Sequence, residues 1–410
     1  MERDTYLMNK KVGIIGGGPA GTLAGILLSN AGVNVTIFDP KQILTTLLPT
    51  GGGRCNLTYY EYDNTQFCKN YPRGEKFLLS VFSKFNAMDT ISLFNELGIE
   101  TFIQNDNRVF PTSESSKDVA NKLSKILSKN KVKHINQMVI DITNTKGALS
   151  IETERNSQSF DYVIIATGGK GNGANLVKKM GHNIIAQKPT LNALKIKENI
   201  YYNLAGLSLN NIKITAKHSN KKIGETTGDI LFTHNSISGP AIFKISSICA
   251  YIDYDFLKPM TLNLCLTNYT EEEIREYIRQ TIKENPRKNI KNTMSHLIPK
   301  RLTDCILKAS NINAEKEITH ISKQETNTLI NCLTALELTV FGKSNGEEIV
   351  TAGGVDLKEI NSKTMKSKLI ENLYFCGEIL DIDGYTGGFN LQNCWSTAFI
   401  CAEDIIKSAK

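Results

Sequence analysis

The chain has 410 residues, 40% hydrophobic and 22% charged, with a formal net charge of +7. That length exceeds what one small core serves, so two or three domains are expected. A mildly basic balance (sequence pI near 8.7) suits an anionic cofactor or substrate and does not by itself call for a nucleic-acid partner.

Met1 to Lys10 contain no apolar h-region, and no stretch reaches the roughly 20 apolar residues of a bilayer-spanning helix. A cytoplasmic protein without a membrane partner is therefore the expectation. The nine cysteines form no CxxC and no Cys/His cluster with zinc spacing, which points to reduced thiols and no metal.

Lys11 to Gly17 reads as an apolar strand entering a glycine turn, Pro19 to Ala31 as a helix, and Val33 to Asp39 as the next strand, one βαβ unit. A glycine-rich loop follows at Thr50 to Asn56. Helices are predicted over 75–97 and 116–130, the second with a lysine face (Lys117, Lys122, Lys125, Lys129) read as solvated. Strands are predicted at 136–142, 148–154 and Tyr162 to Ala166, the last ending in Thr167-Gly168-Gly169.

From about 190 to 267 short β-like runs take over. Thr270 before Glu271, Glu272 and Glu273 marks a helix N-terminus, Pro286 stops that helix, and more helix fills 288–335. After about 340 the strand–glycine–helix pattern returns. Ile349 to Thr351 leads into Gly353-Gly354, Asn372 to Cys376 leads into Gly377-Glu378, and a last helix runs from about Phe389 to Ile406. The predicted fold class is α/β. A Rossmann-like domain (1–190 plus 346–410) is interrupted by a β-rich insertion (191–268 plus 336–345) and a helical subdomain (269–335).

Gly16-Gly17-Gly18-Pro19-Ala20-Gly21 satisfies G-x-G-x-x-G, between a strand and a helix, with Asp39 closing the second strand about 20 residues on. Gly16 permits the tight turn, Gly18 lets backbone approach a pyrophosphate, and Gly21 allows close helix–strand packing. Pro19 and Ala20 open the helix whose N-terminus faces the anion, and Asp39 accepts from ribose hydroxyls. The competing reading is a glycine turn with Asp39 as a solvated strand end.

Two distant features favour FAD over NAD. Ala166-Thr167-Gly168-Gly169 looks like the second strand–turn over the adenine half. Gly377-Glu378, followed by Asp381, Asp383 and the helix opening Gly387-Gly388-Phe389-Asn390, looks like a ribityl and isoalloxazine site, with the helix N-terminus stabilising charge on the reduced ring.

Four stretches, TGGGRCNLT (50–58), LFTHNSISGPA (231–241), VTAGGVDLKEINSKTM (350–365) and LYFCGEILDIDGYTGGFNLQ (373–392), resemble the signature stretches of the BaiN/YhiN-type bacterial flavoproteins, a family that also includes aminoacetone-oxidase-like FAD-binding enzymes. The resemblance implies an FAD-binding Rossmann-like domain with an inserted β-barrel and a small helical domain. It also implies that Gly52, Gly53, Arg54, Cys55 and Asn56 form a loop close to the flavin, and that Gly353 and Gly354 form a loop at its ring. Two departures stand out: a shortened loop at Lys170 to Ala174, and Asn393-Cys394-Trp395 where small and apolar residues are more typical, a change that reshapes the expected pocket.

The flavin carries the redox chemistry, and no side chain announces itself as catalytic. Arg54 is a candidate for binding an anionic substrate or a flavin carbonyl, against a structural ion pair. Tyr385 is a candidate proton donor, against a turn residue that shields the ring. His234 is a candidate acid/base, against a hydrogen-bonded structural histidine. Cys55 lacks the second nearby cysteine that a redox pair needs.

The reading is an FAD-dependent oxidoreductase acting on a small organic or steroid-like molecule, with hydride transfer to or from flavin N5. The alternatives are a flavin-dependent RNA-modifying enzyme, suggested by the net charge and the basic helices of 286–301, and a non-catalytic redox sensor. Nucleic acid is disfavoured because the basic residues are dispersed and lack interleaved aromatics. With one Rossmann fingerprint present, NAD(P)H enters only as a transient electron donor. Oligomeric state and substrate identity stay open.

Overall fold

A computed structural model describes residues 10–145, 148–344 and 350–409. The leader reading at Met1 to Asn9, the strand start at Ile349 and the domain boundary at 345/346 lie outside the described residues. The chain divides into two compact units, Met1–Lys188 with Val350–Lys410, and Pro189–Ile349.

The first unit is built on a five-stranded sheet in the order Leu373–Phe375, Tyr162–Ile165, Lys11–Ile15, Asn34–Phe38, Lys133–Ile135. Every pairing is parallel. Apolar, mostly β-branched residues such as Val12, Ile14, Ile37 and Val163 are buried in it, as expected of a parallel sheet covered on both faces. Helix Pro19–Asn30 packs against the last helix, Phe389–Ser408. The C-terminal segment therefore completes the core that the N-terminal segment begins.

Two local expectations change. The helix predicted over 75–97 is two, Glu75–Phe82 and Ala87–Glu96. Asn86 starts the second with a capping box, its side chain accepting from Met88 and Asp89 while Asp89 accepts from the Asn86 N–H, and that is a helix start rather than a helix interior. The strand predicted at 136–142 begins later, at Val139. After Ile135 the chain leaves the parallel sheet and joins an antiparallel one formed by Val139–Thr145, Ala148–Thr153 and Ser157–Phe160.

The second unit contains a closed six-stranded barrel in the order Leu194–Ile196, Ser236–Ser238, Lys221–Phe232, Ser208–His218, Met260–Cys265, Leu336–Lys343. Leu194 pairs with both Ile237 and Lys343, which closes the ring. Burial alternates along Met260–Cys265, so Met260, Leu262 and Leu264 fill the interior while their neighbours point outward.

Helices Glu271–Glu284, Ile290–Met294, Lys300–Ala309 and Lys323–Ala335 lie in sequence between two of the barrel strands. The first is opened by a capping box between Thr270 and Glu273. In the basic stretch before 302, Arg301 donates to the carbonyls of Asn203 (2.6 Å) and Ala205 (3.2 Å), a structural use of its charge. Among the described residues no helix is long and apolar enough to cross a membrane.

Candidate cofactor site

The glycine turn between the first strand and helix has the geometry of a dinucleotide cradle. Gly16 sits at φ +108, and a Cβ there would lie 2.3 Å from the Ala166 carbonyl oxygen. Only glycine tolerates both the backbone and the approach. A Cβ at Gly21 would meet the Gly16 carbonyl oxygen at 2.0 Å, so the helix can lie this close to the turn only without a side chain there. Gly18 has room for a side chain, with only Thr46 Oγ1 near, at 3.4 Å.

Gly18 caps helix Pro19–Asn30 without any side-chain hydrogen bond, Pro19 stands at its start, and its first turn holds no acid. Among the described residues the Gly18 N–H has no protein acceptor. An uncapped helix N-terminus with free N–H groups suits an anion.

Asp39 ends the second strand half-exposed. Its Oδ2 accepts from the Gly17 N–H at 2.7 Å and its Oδ1 from the Lys41 N–H at 2.8 Å. A carboxylate offers about four lone-pair sites, so acceptor capacity remains for two ribose hydroxyls.

Several segments converge on this turn. Gly377 (φ +78) packs on the helix start, where a Cβ would lie 2.9 Å from the Ala20 Cβ. The Cys394 thiol lies beside the N–H groups of Glu378 and Ala20. Gly168 (φ +67) faces Glu378, with 3.9 Å between a Cβ there and the carboxylate. Ala166, Thr167 and Gly168, together with Gly377 and Glu378, therefore stand beside the fingerprint.

The loop at 50–56 carries three consecutive left-handed glycines, Gly51 (φ +60), Gly52 (φ +68) and Gly53 (φ +86). Among the described residues, chain neighbours apart, nothing lies within 4 Å of a Cβ at Gly52 or Gly53. The Arg54 guanidinium pairs with Glu114 at 2.9 Å and lies 4.2 Å from the centre of the Phe110 ring. Cys55 is buried at φ +65, and burial pushes its thiol up to about 12. The buried Asn56 amide, assigned in the orientation that satisfies both its ends, donates to the Thr58 and Val109 carbonyls and accepts the Gly388 N–H at 3.1 Å.

The opening of the last helix also differs from expectation. Gly388 (φ +97) lies against strand Thr58–Tyr59, where a Cβ would sit 2.6 Å from the Thr58 carbonyl carbon. Its N–H is taken by Asn56, so it is not a free donor. A Cβ at Gly387 would meet the Phe389 ring at 2.8 Å. Phe389 is buried among Tyr59, Phe67 and Tyr71, and the Tyr71 hydroxyl donates to its carbonyl at 2.7 Å. The Asn390 side chain accepts from the Gly384 N–H and donates to the Gly384 carbonyl, both at 2.8 Å.

Gly353 and Gly354, expected in a loop, lie inside strand Val350–Val355, pressed on the carbonyls of Ala186 and Ile379. Trp395 packs in the core of the first unit. It is fully buried, donates to the Leu57 carbonyl at 3.0 Å and meets Phe94 edge-on.

One grouping escaped sequence reasoning. Arg73 makes a two-point ion pair with the fully buried Asp383, Nε to Oδ1 and Nη2 to Oδ2. No local pattern marks the pair, because the partners are 310 residues apart. Asp381 and Tyr385 feel the same guanidinium. Burial pushes the Asp381 carboxyl up, Arg73 and the Gly353 N–H oppose this, and Asp383 adds to it. Burial likewise raises the Tyr385 phenol, with Arg73 acting against that rise. His234 belongs to the second unit, in an exposed bend between Lys221–Phe232 and Ser236–Ser238.

The residues fit an FAD. The fingerprint supplies a cradle for the pyrophosphate, and Gly52 and Gly53 face open space. Among the described residues, Thr167 Oγ1 and Asp381 Oδ1 are buried without a hydrogen-bond partner. Buried polar atoms left unsatisfied cost about 1–3 kcal/mol each, and a polyhydroxylated, charged cofactor supplies such partners.

A parallel-sheet glycine cradle, an acidic strand end and a C-terminal segment returned beside the cradle define a Rossmann-type cofactor domain, here that of an FAD-dependent oxidoreductase. The chain belongs to the family described as the HI0933-like protein Rossmann domain, whose model matches residues 10–404.

It is 30% identical over 412 residues to the ribosomal RNA dihydrouridine synthase of Haemophilus influenzae, covering 96% of this chain and 97% of that one. Identity to the Escherichia coli ribosomal RNA dihydrouridine synthase is 27%, covering 96% and 97% of the two chains. Identity to the 3-dehydro-bile acid delta(4,6)-reductase of Clostridium scindens is 28%, covering 95% and 97%.

Proposed function

We propose that this protein is an FAD-dependent reductase of a carbon–carbon double bond conjugated to a carbonyl, and that its substrate is a uracil ring in ribosomal RNA. The observation that carries this reading is the near-complete coverage of two ribosomal RNA dihydrouridine synthases and a bile-acid reductase at 27–30% identity. Dihydrouridine is uridine with its C5–C6 double bond saturated, and that bond is conjugated to the C4 carbonyl. A 3-oxo-steroid with unsaturation at C4 and C6 presents the same electrophile. One protein scaffold serving both needs only this shared chemistry.

In this reading Gly16 to Gly21 hold the pyrophosphate, Asp39 the adenosine ribose, and Thr167, Gly168, Gly377, Glu378 and Asp381 the middle of the cofactor. Gly52 and Gly53 leave room for the ring. Bound FAD, once reduced by two electrons from NADH or NADPH, would supply the hydride that such a reduction requires. The protein supplies the proton for the neighbouring carbon, and Tyr385 is the donor proposed. Its phenol, raised by burial, stays protonated at neutral pH, and a general acid within reach of the reacting carbon contributes about 100- to 10,000-fold. NADH or NADPH docks transiently as the electron source, and a ribosomal RNA substrate places the protein in the cytoplasm.

The test is incubation of the holoprotein and NADH or NADPH with unmodified transcribed ribosomal RNA, followed by mass spectrometry of the nucleosides. Dihydrouridine formation is expected. Its absence, with reduction of a 3-oxo-4-ene steroid instead, would replace this reading with that of a small-molecule enone reductase, which the bile-acid relative supports.

A further inference from the structure

The barrel unit carries an open groove of about 410 Å³, lined among others by Lys217, His218, Ser219, Asn220, Lys258 and Glu337. Strand register assembles it. Lys217 pairs opposite Thr261 and His218 opposite Met260, which sets the tip of the Ser208–His218 and Lys221–Phe232 hairpin beside Lys258. Lys217, Ser219, Asn220 and Lys258 are exposed. Among the described residues Lys217 and Lys258 have no carboxylate at ion-pair distance. The His218 ring is anchored to the Pro259 carbonyl at 3.3 Å, and Glu337 is the acid of this lining.

The segment leading into Lys258 presents Phe256 and Leu257, 64% and 89% exposed. An exposed phenylalanine is ordinary on a mobile loop, but this one is held. Asp255 Oδ1 accepts the Leu257 and Lys258 N–H groups at 2.7 and 2.8 Å. Phe341 meets the ring edge-on at 5.7 Å. Lys197 Nζ lies 4.0 Å from the ring centre and donates to the Phe256 carbonyl at 2.8 Å. The result is an immobilised aromatic next to a groove of lysine, histidine, asparagine and serine. Lysines neutralise phosphates, small polar side chains bond phosphate and sugar oxygens, and an aromatic face stacks a base of any identity. A predominantly polar groove does not suit an amphipathic helix, which needs an apolar trough.

We infer that this strip, from Phe256 through Lys258 to Lys217 and Asn220, binds single-stranded RNA, with phosphates in the groove and a base on Phe256. The inference rests on the ribosomal RNA reading above and names the surface by which the barrel unit holds that substrate.

The experiment is fluorescence anisotropy of the FAD-loaded protein with a labelled single-stranded, uridine-containing RNA oligonucleotide across a salt series. Phe256→Ala should weaken binding about 5- to 100-fold, the scale of one lost base stack. Lys217→Ala/Lys258→Ala should reduce the steepness of the log–log salt dependence by about 1.4, two phosphate contacts at roughly 0.7 each. Lys283→Ala/Lys300→Ala, which removes two exposed cations elsewhere in the unit, should leave the slope as in wild type.

Thermal melting and flavin absorbance equal to wild type establish that the variants are folded. Wild-type affinity and slope in the surface variants, or an equal loss in the control pair, overturns this surface and leaves the ribosomal RNA reading standing. A wild-type protein that makes dihydrouridine yet does not bind the oligonucleotide also overturns it. A wild-type protein that neither binds RNA nor makes dihydrouridine removes both.

Discussion

The Asp39 carboxylate accepts the Gly17 N–H at 2.7 Å, tying the end of the second strand to the middle of the glycine turn. One side chain thus braces the glycine turn, and in the proposed reading its remaining lone pairs would serve the adenosine ribose. Asp39→Ala removes a charge-assisted hydrogen bond worth about 1.5–3 kcal/mol along with the ribose acceptor. FAD should bind the apoprotein roughly 10- to 100-fold more weakly, as read by flavin fluorescence quenching. Unchanged affinity would remove Asp39 from the cofactor site.

Two glycines should separate packing from ligand space. Gly21→Ala drives a Cβ into the Gly16 carbonyl oxygen, a backbone atom, and should destabilise even the apoprotein by about 1–3 kcal/mol. Gly52→Ala meets no atom of the described residues within 4 Å, chain neighbours apart, so the apoprotein should lose only the left-handed backbone cost of about 1–2 kcal/mol, while FAD retention falls further. Apoprotein melting curves and bound-flavin ratios for both variants decide this. A Gly52 variant that keeps its full flavin content contradicts the assignment of that loop.

Arg73 and Asp383 form a buried pair, so breaking one side leaves an uncompensated charge. Arg73→Met should cost about 3–5 kcal/mol, and Arg73→Met/Asp383→Asn should recover part of that loss. Urea denaturation of the two single variants and the double variant closes the cycle. Additive losses would mean that the ion pair does not couple the residues.

The proposed proton donor gives a kinetic prediction. Tyr385→Phe should keep FAD and fold, yet lower kcat by about 100- to 10,000-fold in the reductase assay. Activity within a fewfold of wild type would return Tyr385 to a shielding role.

The thiol of Cys55 is pushed up to about 12, against roughly 8.5 for an unfolded cysteine. Between these values the folded chain keeps a proton that the unfolded chain releases. Stability is therefore full below about pH 8.5 and declines as pH rises toward 12, by up to about 1.4 kcal/mol per pH unit for each such thiol. Denaturant melts from pH 8 to 11 should show a shallower decline in Cys55→Ala. Identical slopes, or alkylation of native Cys55 at neutral pH, would contradict the burial argument.

By itself the sequence determined the features whose causes lie within a few residues. The tight turn at Gly16, the proline-started helix at Pro19, the helix start at Thr270 and the β-like runs of the insertion are set by local sterics and hydrogen bonds, and they read directly from side-chain type and spacing. The tertiary structure alone decided which distant groups meet. Arg54 is taken by Glu114 and Phe110, Gly388 is required by the Thr58 backbone, Arg73 finds Asp383, and strand register gathers the dispersed Lys217 and Lys258 beside Phe256. Loop closure and register set such pairs, and neither leaves a trace in the spacing of the residues that they bring together.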